Sequence, residues 1–249
     1  MPPASPPPLG RLIDRLRQHA PLGADDAAAL LALPTTARVL EHGGYVVREG
    51  DKASVCAVLV SGYAFRQKLT GDGARQIVSL HIPGEALDFP SLFIARADHS
   101  VQALTRCELA IVPCGHLHAL LRARPAIQHA IATLFVVEAS IAREWQLNIG
   151  RRDARASLAH LLCEFAVRLD AQGLRASGDG YELPMTQEQL GDALGLTAVH
   201  VNRTLRWLEG EGLVRREGRF IAFPDWRALA RAADFSALYL HLDNNSPVP

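Results

Sequence analysis

Apolar residues change their spacing along the chain, and these changes predict its elements. From Thr36 to Cys114 they form short runs rich in β-branched residues and separated by glycines, a pattern typical of strands in an antiparallel sandwich or barrel. After Pro125 they recur every three or four residues, which predicts one long helix reaching about Ile149. Two short helices are predicted before the first strand, and helical spacing returns after Arg151.

The predicted long helix carries an apolar stripe. Its members are three, four or seven residues apart and therefore share one face; they are Ile127, Ile131, Leu134, Ile141 and Trp145. Glu138 lies within the stripe. A stripe this long, extending from a β domain, favours packing against the same stripe of a second copy. The alternative is a helix docked on its own domain.

The C-terminal third carries the strongest local signals. Thr186 followed by Gln189 predicts a capping box at the start of a short helix, and Gly195 supplies the left-handed residue that ends it. Thr197 then caps a second helix. Two short helices joined by a glycine-containing turn form a helix-turn-helix, and the residues that follow predict a β-hairpin turning at Gly218.

The second of these helices has one inward and one outward face. Val201, Leu205 and Leu208 are spaced to face the core. The opposite face then presents Val199, His200, Asn202, Arg203 and Arg206. Arginine can bond guanine O6 and N7 together, and asparagine can do the same with adenine N6 and N7. This face therefore predicts a reader of the DNA major groove.

These residues carry a family resemblance. The segments at 186–191, 195–197 and 201–205 and the hairpin resemble the winged helix-turn-helix of the Crp/Fnr family of bacterial transcription regulators. Upstream, Glu49-Gly50-Asp51, Val58 to Gly62 and Pro83-Gly84-Glu85 resemble that family's cyclic-nucleotide-binding-like β-roll, which is a jelly roll. The resemblance implies an α+β fold with three parts: N-terminal helices and an antiparallel β-roll over 1–124, a dimerisation helix over 125–150, and a winged helix-turn-helix with a C-terminal helical tail over 151–249.

The resemblance also implies a function and its residues. The expected protein is not an enzyme; it binds an inverted-repeat operator as a homodimer, with RNA polymerase and an unidentified small-molecule effector as further partners. Thr197, Asn202 and Arg203 match the family's recognition-helix contacts, with Arg203 as the base reader, while Thr186 and Gln187 match residues at phosphates. Arg219 lies where a wing touches phosphate. Val199 replaces a frequent glutamate, so we expect a different operator, because valine packs on a thymine methyl.

The effector residues of cyclic AMP-binding members are only partly present. Gly84-Glu85 matches their Gly-Glu pair, but Ala97 stands where those members have the phosphate-binding arginine, with Asp98 beside it. A carboxylate repels a phosphate, so we expect an effector other than cyclic AMP. A shifted site using Arg96, Asp98 and Ser100 stays open, as does a regulator without any ligand.

We predict no metal or cofactor. An iron–sulfur cluster needs several cysteines, and the chain has four in all, none of them before Cys56. Haem would need an axial ligand, and the candidates are Pro2, His81, His99, His116 and His118. We expect Cys107 and Cys114 to be buried, inert thiols; the alternative is a redox pair, which would need two strands that oppose them. A cupin-like metal-binding protein or enzyme is the alternative from another class, with His116 and His118 as ligands, but the expected nearby carboxylate is missing.

Composition changes this picture little. The 249 residues contain 26 Lys and Arg against 26 Asp and Glu, which excludes only a bulk polycation or polyanion. The longest apolar run, at 131–137, is far shorter than the roughly 18 to 20 residues of a membrane span, and the first residues show no signal peptide. We therefore expect a cytoplasmic protein without a membrane partner. Within the neutral total, five arginines cluster on the helix and hairpin: Arg203, Arg206, Arg215, Arg216 and Arg219.

Overall fold

The computed structural model describes residues 7–52, 54–175 and 180–242. Its helices are α1 (Gly10–His19), α2 (Ala24–Leu31), α3 (Cys114–Ala123), α4 (Pro125–Gly150), α5 (Ala154–Ala171), α6 (Gln187–Leu194), α7 (Ala198–Gly210) and α8 (Trp226–Ala232). Its strands are β1 (Thr36–Leu40), β2 (Tyr45–Val47), β3 (Val55–Ser61), β4 (Ala64–Leu69), β5 (Arg75–His81), β6 (Ser100–Ala103), β7 (Cys107–Pro113), β8 (Gly180–Glu182), β9 (Arg215–Glu217) and β10 (Phe220–Ala222). Short 3-10 helices lie at Phe89–Leu92 and Ala237–Leu240. Pro2 and the end of the predicted tail lie outside the described residues.

The chain divides into two compact units. The first contains Met1–Gln67, Leu80–Glu138 and His241–Pro249, and the second contains Lys68–Ser79 and Ala139–Leu240. Residues 125–150 do not form a part of their own, because the division passes through α4. The first half of this helix belongs to the core of the first unit, and its second half packs on α5.

The first unit contains most of the antiparallel β-roll, while Lys68–Ser79, with the end of β4 and most of β5, is counted with the second unit. One sheet has the order β1-β7-β3 and another has the order β2-β6-β4-β5. Between them lies an apolar interior formed by Ala57, Leu59, Ala64, Leu87, Val101, Ala103, Cys107 and Leu109. The turn between β3 and β4 needs glycine, since Gly62 has φ 83° and a Cβ there would lie 2.2 Å from the carbonyl oxygen of Arg106. The predicted fold class is confirmed.

A second core of the first unit packs the helices on the roll. It joins α1, α2, α3 and the first half of α4 to residues of β3 and β7. Helix α3 is absent from the sequence prediction, which continues strand structure to Cys114. It carries His116 and His118 on a helix rather than on a barrel strand. The cupin-like alternative, which needs this pair on a β-barrel, therefore loses its geometric basis.

The apolar stripe of α4 is buried inside the chain. Ile127, Ile131, Leu134, Ile141 and Trp145 keep at most 8% of their surface exposed. Their assignment to a dimer interface is therefore wrong, and docking on the chain itself is the arrangement that the structure has. Glu138 fits this arrangement because its carboxylate lies 3.6 Å from the guanidinium of Arg66.

Helix α4 also has the length and composition of a membrane span. Its 26 residues have a mean hydropathy of 1.3 over the most apolar window, of which 39% is buried in the chain. The buried apolar stripe contributes to this hydropathy, and core helices of soluble proteins can have the same length and composition.

Cys107 and Cys114 lie at opposite ends of the same element. Cys107 begins β7 and Cys114 follows its last residue, so an extended strand separates them by roughly 23 Å. A disulfide needs Cα atoms no more than about 7 Å apart. The alternative of a redox pair is therefore excluded, and both thiols are free and buried.

The second unit is built around α5, which is buried along most of its length. Its N-terminus is capped by Asp153, whose carboxylate accepts from the backbone N–H of Arg155 and Ala156. The aromatic rings of Phe165, Tyr181 and Phe223 then link α5 to a three-stranded sheet of order β8-β10-β9. Helices α6 and α7 pack against α5 and each other and carry the predicted recognition motif.

Candidate DNA-binding interface

The turn between α6 and α7 has the geometry of a helix-turn-helix. The Thr186 hydroxyl accepts from the N–H of Gln189 at 3.2 Å, and the Gln189 side-chain oxygen accepts from the N–H of Thr186 at 2.9 Å, which completes the capping box. Gly195 ends α6 with φ 68°. A Cβ at Gly191 would lie 2.4 Å from the carbonyl oxygen of Leu196, so glycine at 191 also permits the close turn.

Helix α7 has the two faces that its sequence predicts. Thr197 caps it by accepting from the N–H of His200 at 3.2 Å. Val201, Leu205 and Leu208 are at most 2% exposed. On the opposite face Val199 is 70% exposed, and His200, Arg203 and Arg206 are also exposed. A valine so exposed beside two arginines has no role in the core and is available to a ligand.

Two of the predicted contact residues form a hydrogen bond with each other. The side-chain amide of Asn202 donates to the side-chain oxygen of Gln187 at 3.0 Å. Gln187 begins α6, so this bond fixes the Asn202 side chain against the first helix of the motif. Arg203 makes no hydrogen bond or ion pair with the residues that the structure describes. Its guanidinium is therefore free to bond a base.

The arginines of the wing differ in their partners. Arg219 donates to the carbonyl oxygens of Leu183 and Pro184, at 3.3 and 2.5 Å. Arg216 bonds Glu209 at 2.5 Å and holds the pKa of that carboxyl below its usual range. Arg215 keeps 69% of its side chain exposed and lies 3.9 Å from Glu217. Arg215 is thus the wing arginine that is least engaged within the chain.

The surface beside α7 that Arg155 and Trp207 form was not predicted from the sequence. The guanidinium of Arg155 lies 4.1 Å from the centre of the Trp207 ring, in a cation–π arrangement. A cavity of about 350 Å³ opens between the start of α5 and α7, lined by Asp153, Ala154, Arg155, His200, Arg203, Thr204 and Trp207. No sequence signal pairs residues 52 apart, so only the packing of α5 on α7 shows that Arg155 extends the basic face.

The predicted effector residues fall into two groups. Glu85 is 5% exposed, and its carboxylate bonds Arg15 and His81, each at 3.1 Å. Arg96 instead donates to the carbonyl oxygen of Gly50 at 2.8 Å, and the Ser100 hydroxyl accepts from the N–H of Glu49 at 3.0 Å. Asp98 keeps 79% of its side chain exposed and contacts His99. Gly84 donates its N–H to Leu59 at 2.8 Å and shapes the turn before Glu85.

A partly open cavity of about 400 Å³ lies on the roll. Its apolar lining comes from Val46, Val47, Val55, Ala57 and Ile111, and its polar lining comes from Arg38, Asp51, Lys52, Ser54 and Asp88. Asp88 is 4% exposed, and burial raises the pKa of its carboxyl. Its Oδ1 makes no hydrogen bond with the described residues but lies 4.0 Å from Nε2 of His99, while the other oxygen accepts from the Ser91 hydroxyl. A buried carboxylate oxygen without a hydrogen bond is unusual.

Other proteins share both halves of this arrangement. Residues 156–232 match the family model of the Crp-like helix-turn-helix domain, and residues 37–124 match that of the cyclic nucleotide-binding domain. A probable transcriptional activator of Rhizobium leguminosarum is 30% identical over 195 residues, which cover 78% of this chain and 80% of that protein. The transcriptional activator protein FnrL of Cereibacter sphaeroides is 32% identical over 203 residues, which cover 80% and 81%.

A solved structure has the same fold. FixK2 from Bradyrhizobium japonicum superposes with a TM-score of 0.72 at 24% identity, covering 82% of this chain and all of that one. The chain is therefore a DNA-binding transcription regulator that joins a cyclic-nucleotide-binding-type β-roll to a helix-turn-helix. It belongs to the Crp/Fnr family.

Proposed function

We propose that this protein regulates transcription in the cytoplasm as a homodimer that binds an inverted-repeat operator. The observation that carries the proposal is the outward face of α7, where Val199, Arg203 and Arg206 are exposed opposite a buried face. Two-fold symmetry would place the two α7 helices in major grooves about 34 Å apart. Two relatives are named transcriptional activators, which favours activation through RNA polymerase and no enzymatic role.

The dimer would form through a second face of α4. Ala132, Val136, Ala139, Arg143 and Gln146 follow one another at spacings of four and three residues, and all five are exposed. This spacing places the five residues along one stripe, here called the seam, on which a second helix can pack. The alanines of the seam let the two helix backbones approach closely. Val136, with 63% of its surface exposed, is the apolar centre of this seam.

Val136→Glu tests the seam. In a dimer the two carboxylates would be buried near each other without partners, at a cost of about 3 kcal/mol or more, roughly two orders of magnitude in the dimer dissociation constant. We expect sedimentation equilibrium to show monomers and operator binding to weaken accordingly. Ala126→Glu, exposed on another face of α4, is the matched control and should remain dimeric. A dimeric Val136→Glu variant would contradict the seam.

We propose further that the effector is not a cyclic nucleotide. The support is that Glu85 is already engaged by Arg15 and His81, while Arg96 points its donors at the loop around Gly50. Isothermal calorimetry with cyclic AMP and cyclic GMP should show no binding at micromolar concentrations. Micromolar binding of either nucleotide would contradict this proposal.

The proposed ligand site is the cavity of the roll. Its walls combine apolar side chains with the charged or polar groups of Arg38, Asp51, Lys52, Ser54 and Asp88. A small molecule with an apolar body and polar or charged groups complements this lining. We propose no metal or haem in this protein. The support is that His81 already bonds Glu85 and that His99 already bonds Asp98. Burial also raises the pKa of the Cys163 thiol to about 12, which disfavours the thiolate that a cluster needs.

A further inference from the structure

The junction between α4 and α5 is only three residues long. It consists of Arg151, Arg152 and Asp153, of which Asp153 caps α5. Backbone of this length can bend in several ways, so side chains must fix the angle between the two helices. That angle matters because α4 carries the proposed dimer seam and α5 packs on the recognition helix.

Arg152 connects the end of α4 to the segment that follows α8, residues 233–240, here called the C-terminal segment. Only 8% of its side chain is exposed. Its guanidinium lies 2.7 Å from the carboxylate of Glu144 and 2.8 Å from the side-chain oxygen of Asn148, both on α4. It also donates to the carbonyl oxygen of Asp234 at 3.1 Å and reaches the Asp234 carboxylate at 3.3 Å. Asp234 has φ 49° at the turn that follows α8.

The same C-terminal segment holds α5. The Tyr239 hydroxyl donates to Glu164 at 2.9 Å, and the Tyr239 ring stacks on His160 with centroids 5.7 Å apart. The Phe235 ring packs edge-on against the His160 ring, with centroids 5.2 Å apart. Trp145 of α4 donates its indole N–H to the same Glu164 carboxylate at 3.0 Å. The segment therefore contacts α5 directly and is linked to α4 through Arg152.

We infer that Arg152, Asp234 and Tyr239 form a clasp that fixes the angle between α4 and α5 and so selects the spacing of operator half-sites. Arg152 supplies a buried charge, with 8% of its side chain exposed, whereas the Asp234 side chain is 83% exposed. A buried charge held by several acceptors contributes little net stability compared with apolar packing but strongly favours one geometry. In a dimer, a change of this angle moves the two α7 helices apart or together without altering the side chains on either. The inference rests on the proposed dimeric DNA binding.

The test is a selection that separates spacing from sequence. Full-length wild type and Arg152→Ala are each bound to a DNA library in which the half-sites are fixed and the spacer varies in length. A second library fixes the spacer and varies the half-sites. Arg151→Ala is the matched control, since Arg151 is the exposed neighbour in the same junction.

The inference predicts a specific pattern. Wild type and Arg151→Ala should accept one spacer length, while Arg152→Ala should spread over several lengths and bind the best one about tenfold more weakly, with unchanged base preference. Arg152→Lys, which can keep one of the bonds, should restore the spacing in part. If Arg152→Ala fails to fold, Tyr239→Phe, which removes only the hydroxyl bond to Glu164, carries the test with the same expected broadening.

One result would contradict the clasp alone, and another would contradict the proposed function. A folded Arg152→Ala variant with the wild-type spacing profile would overturn the clasp while leaving the DNA-binding proposal intact. Wild-type protein that selects no inverted repeat at all would instead overturn the proposed function.

Discussion

The predicted contact residues of α7 differ in whether another side chain of the protein holds them in place; they are Val199, Asn202 and Arg203. Asn202 is fixed by Gln187, whereas Arg203 and Val199 project from α7 without a partner among the described residues. Helical spacing alone predicted this face, because the buried positions of α7 leave only one possible outward side. It could not predict the Asn202–Gln187 bond or the contact of Arg155 with Trp207, since both depend on how separate helices pack.

The wing arginines give a prediction at the same scale. Arg215 keeps 69% of its side chain exposed, while Arg219 is bonded to the backbone at 183 and 184. Arg215→Ala should weaken binding to all sequences alike and reduce the slope of log affinity against log salt by about 0.9, the value for one phosphate contact. Arg219→Ala should in addition lower the free energy of unfolding, because it loosens the wing.

Filter binding between 50 and 300 mM salt, about the range over which phosphate contacts are screened, measures these slopes. Arg17→Ala removes an exposed arginine from α1 and should leave the slope unchanged. An unchanged slope for Arg215→Ala would remove Arg215 from the interface.

At the scale of elements, α4 shows what a periodic pattern can and cannot predict. Its length and the existence of its apolar stripe were predictable, since both follow from the spacing of residues along one helix. The partner of the stripe was not predictable, because burial by the same chain and burial by a second copy require the same residues. The helix α3 was missed for a related reason: its short apolar spacing continues directly from the β7 strand.

Helix α5 leads to a prediction of pH dependence. Burial lowers the pKa of His160 to about 3, whereas an unfolded histidine titrates near 6.5. The unfolded state therefore binds more protons between these values, and the free energy of unfolding falls as the pH is lowered from 6.5. For His160 alone the loss reaches about 2 kcal/mol at pH 5. Glu164, whose carboxyl pKa is raised by burial, contributes with the opposite sign.

Comparison with His160→Phe isolates this contribution. Phenylalanine can fill the space between Phe235 and Tyr239 but cannot be protonated. Urea unfolding at pH 7, 6 and 5, followed by fluorescence of the tryptophans, all of which lie in the second unit, should show a steeper loss for wild type than for the variant. Equal losses would mean that His160 does not titrate as its burial requires.

At the scale of the whole molecule, a neutral total charge conceals a local basic face. The equal numbers of acidic and basic residues carry no information about nucleic acid, because the five arginines of α7 and the wing are offset elsewhere in the chain. Acidic residues also lie among them, and Glu209 pairs with Arg216. Non-specific affinity for DNA should therefore be modest, and operator choice should depend on few donors.

The most direct test of this account is a selection of bound DNA from a random library with wild type and Arg203→Ala in parallel. We expect wild type to select an inverted repeat with half-site centres about one helical turn apart. Arg203→Ala should bind that operator about 1–3 kcal/mol more weakly and lose preference at one base position in each half-site. Failure of wild type to select an inverted repeat, or an unchanged base preference for Arg203→Ala, would contradict the account.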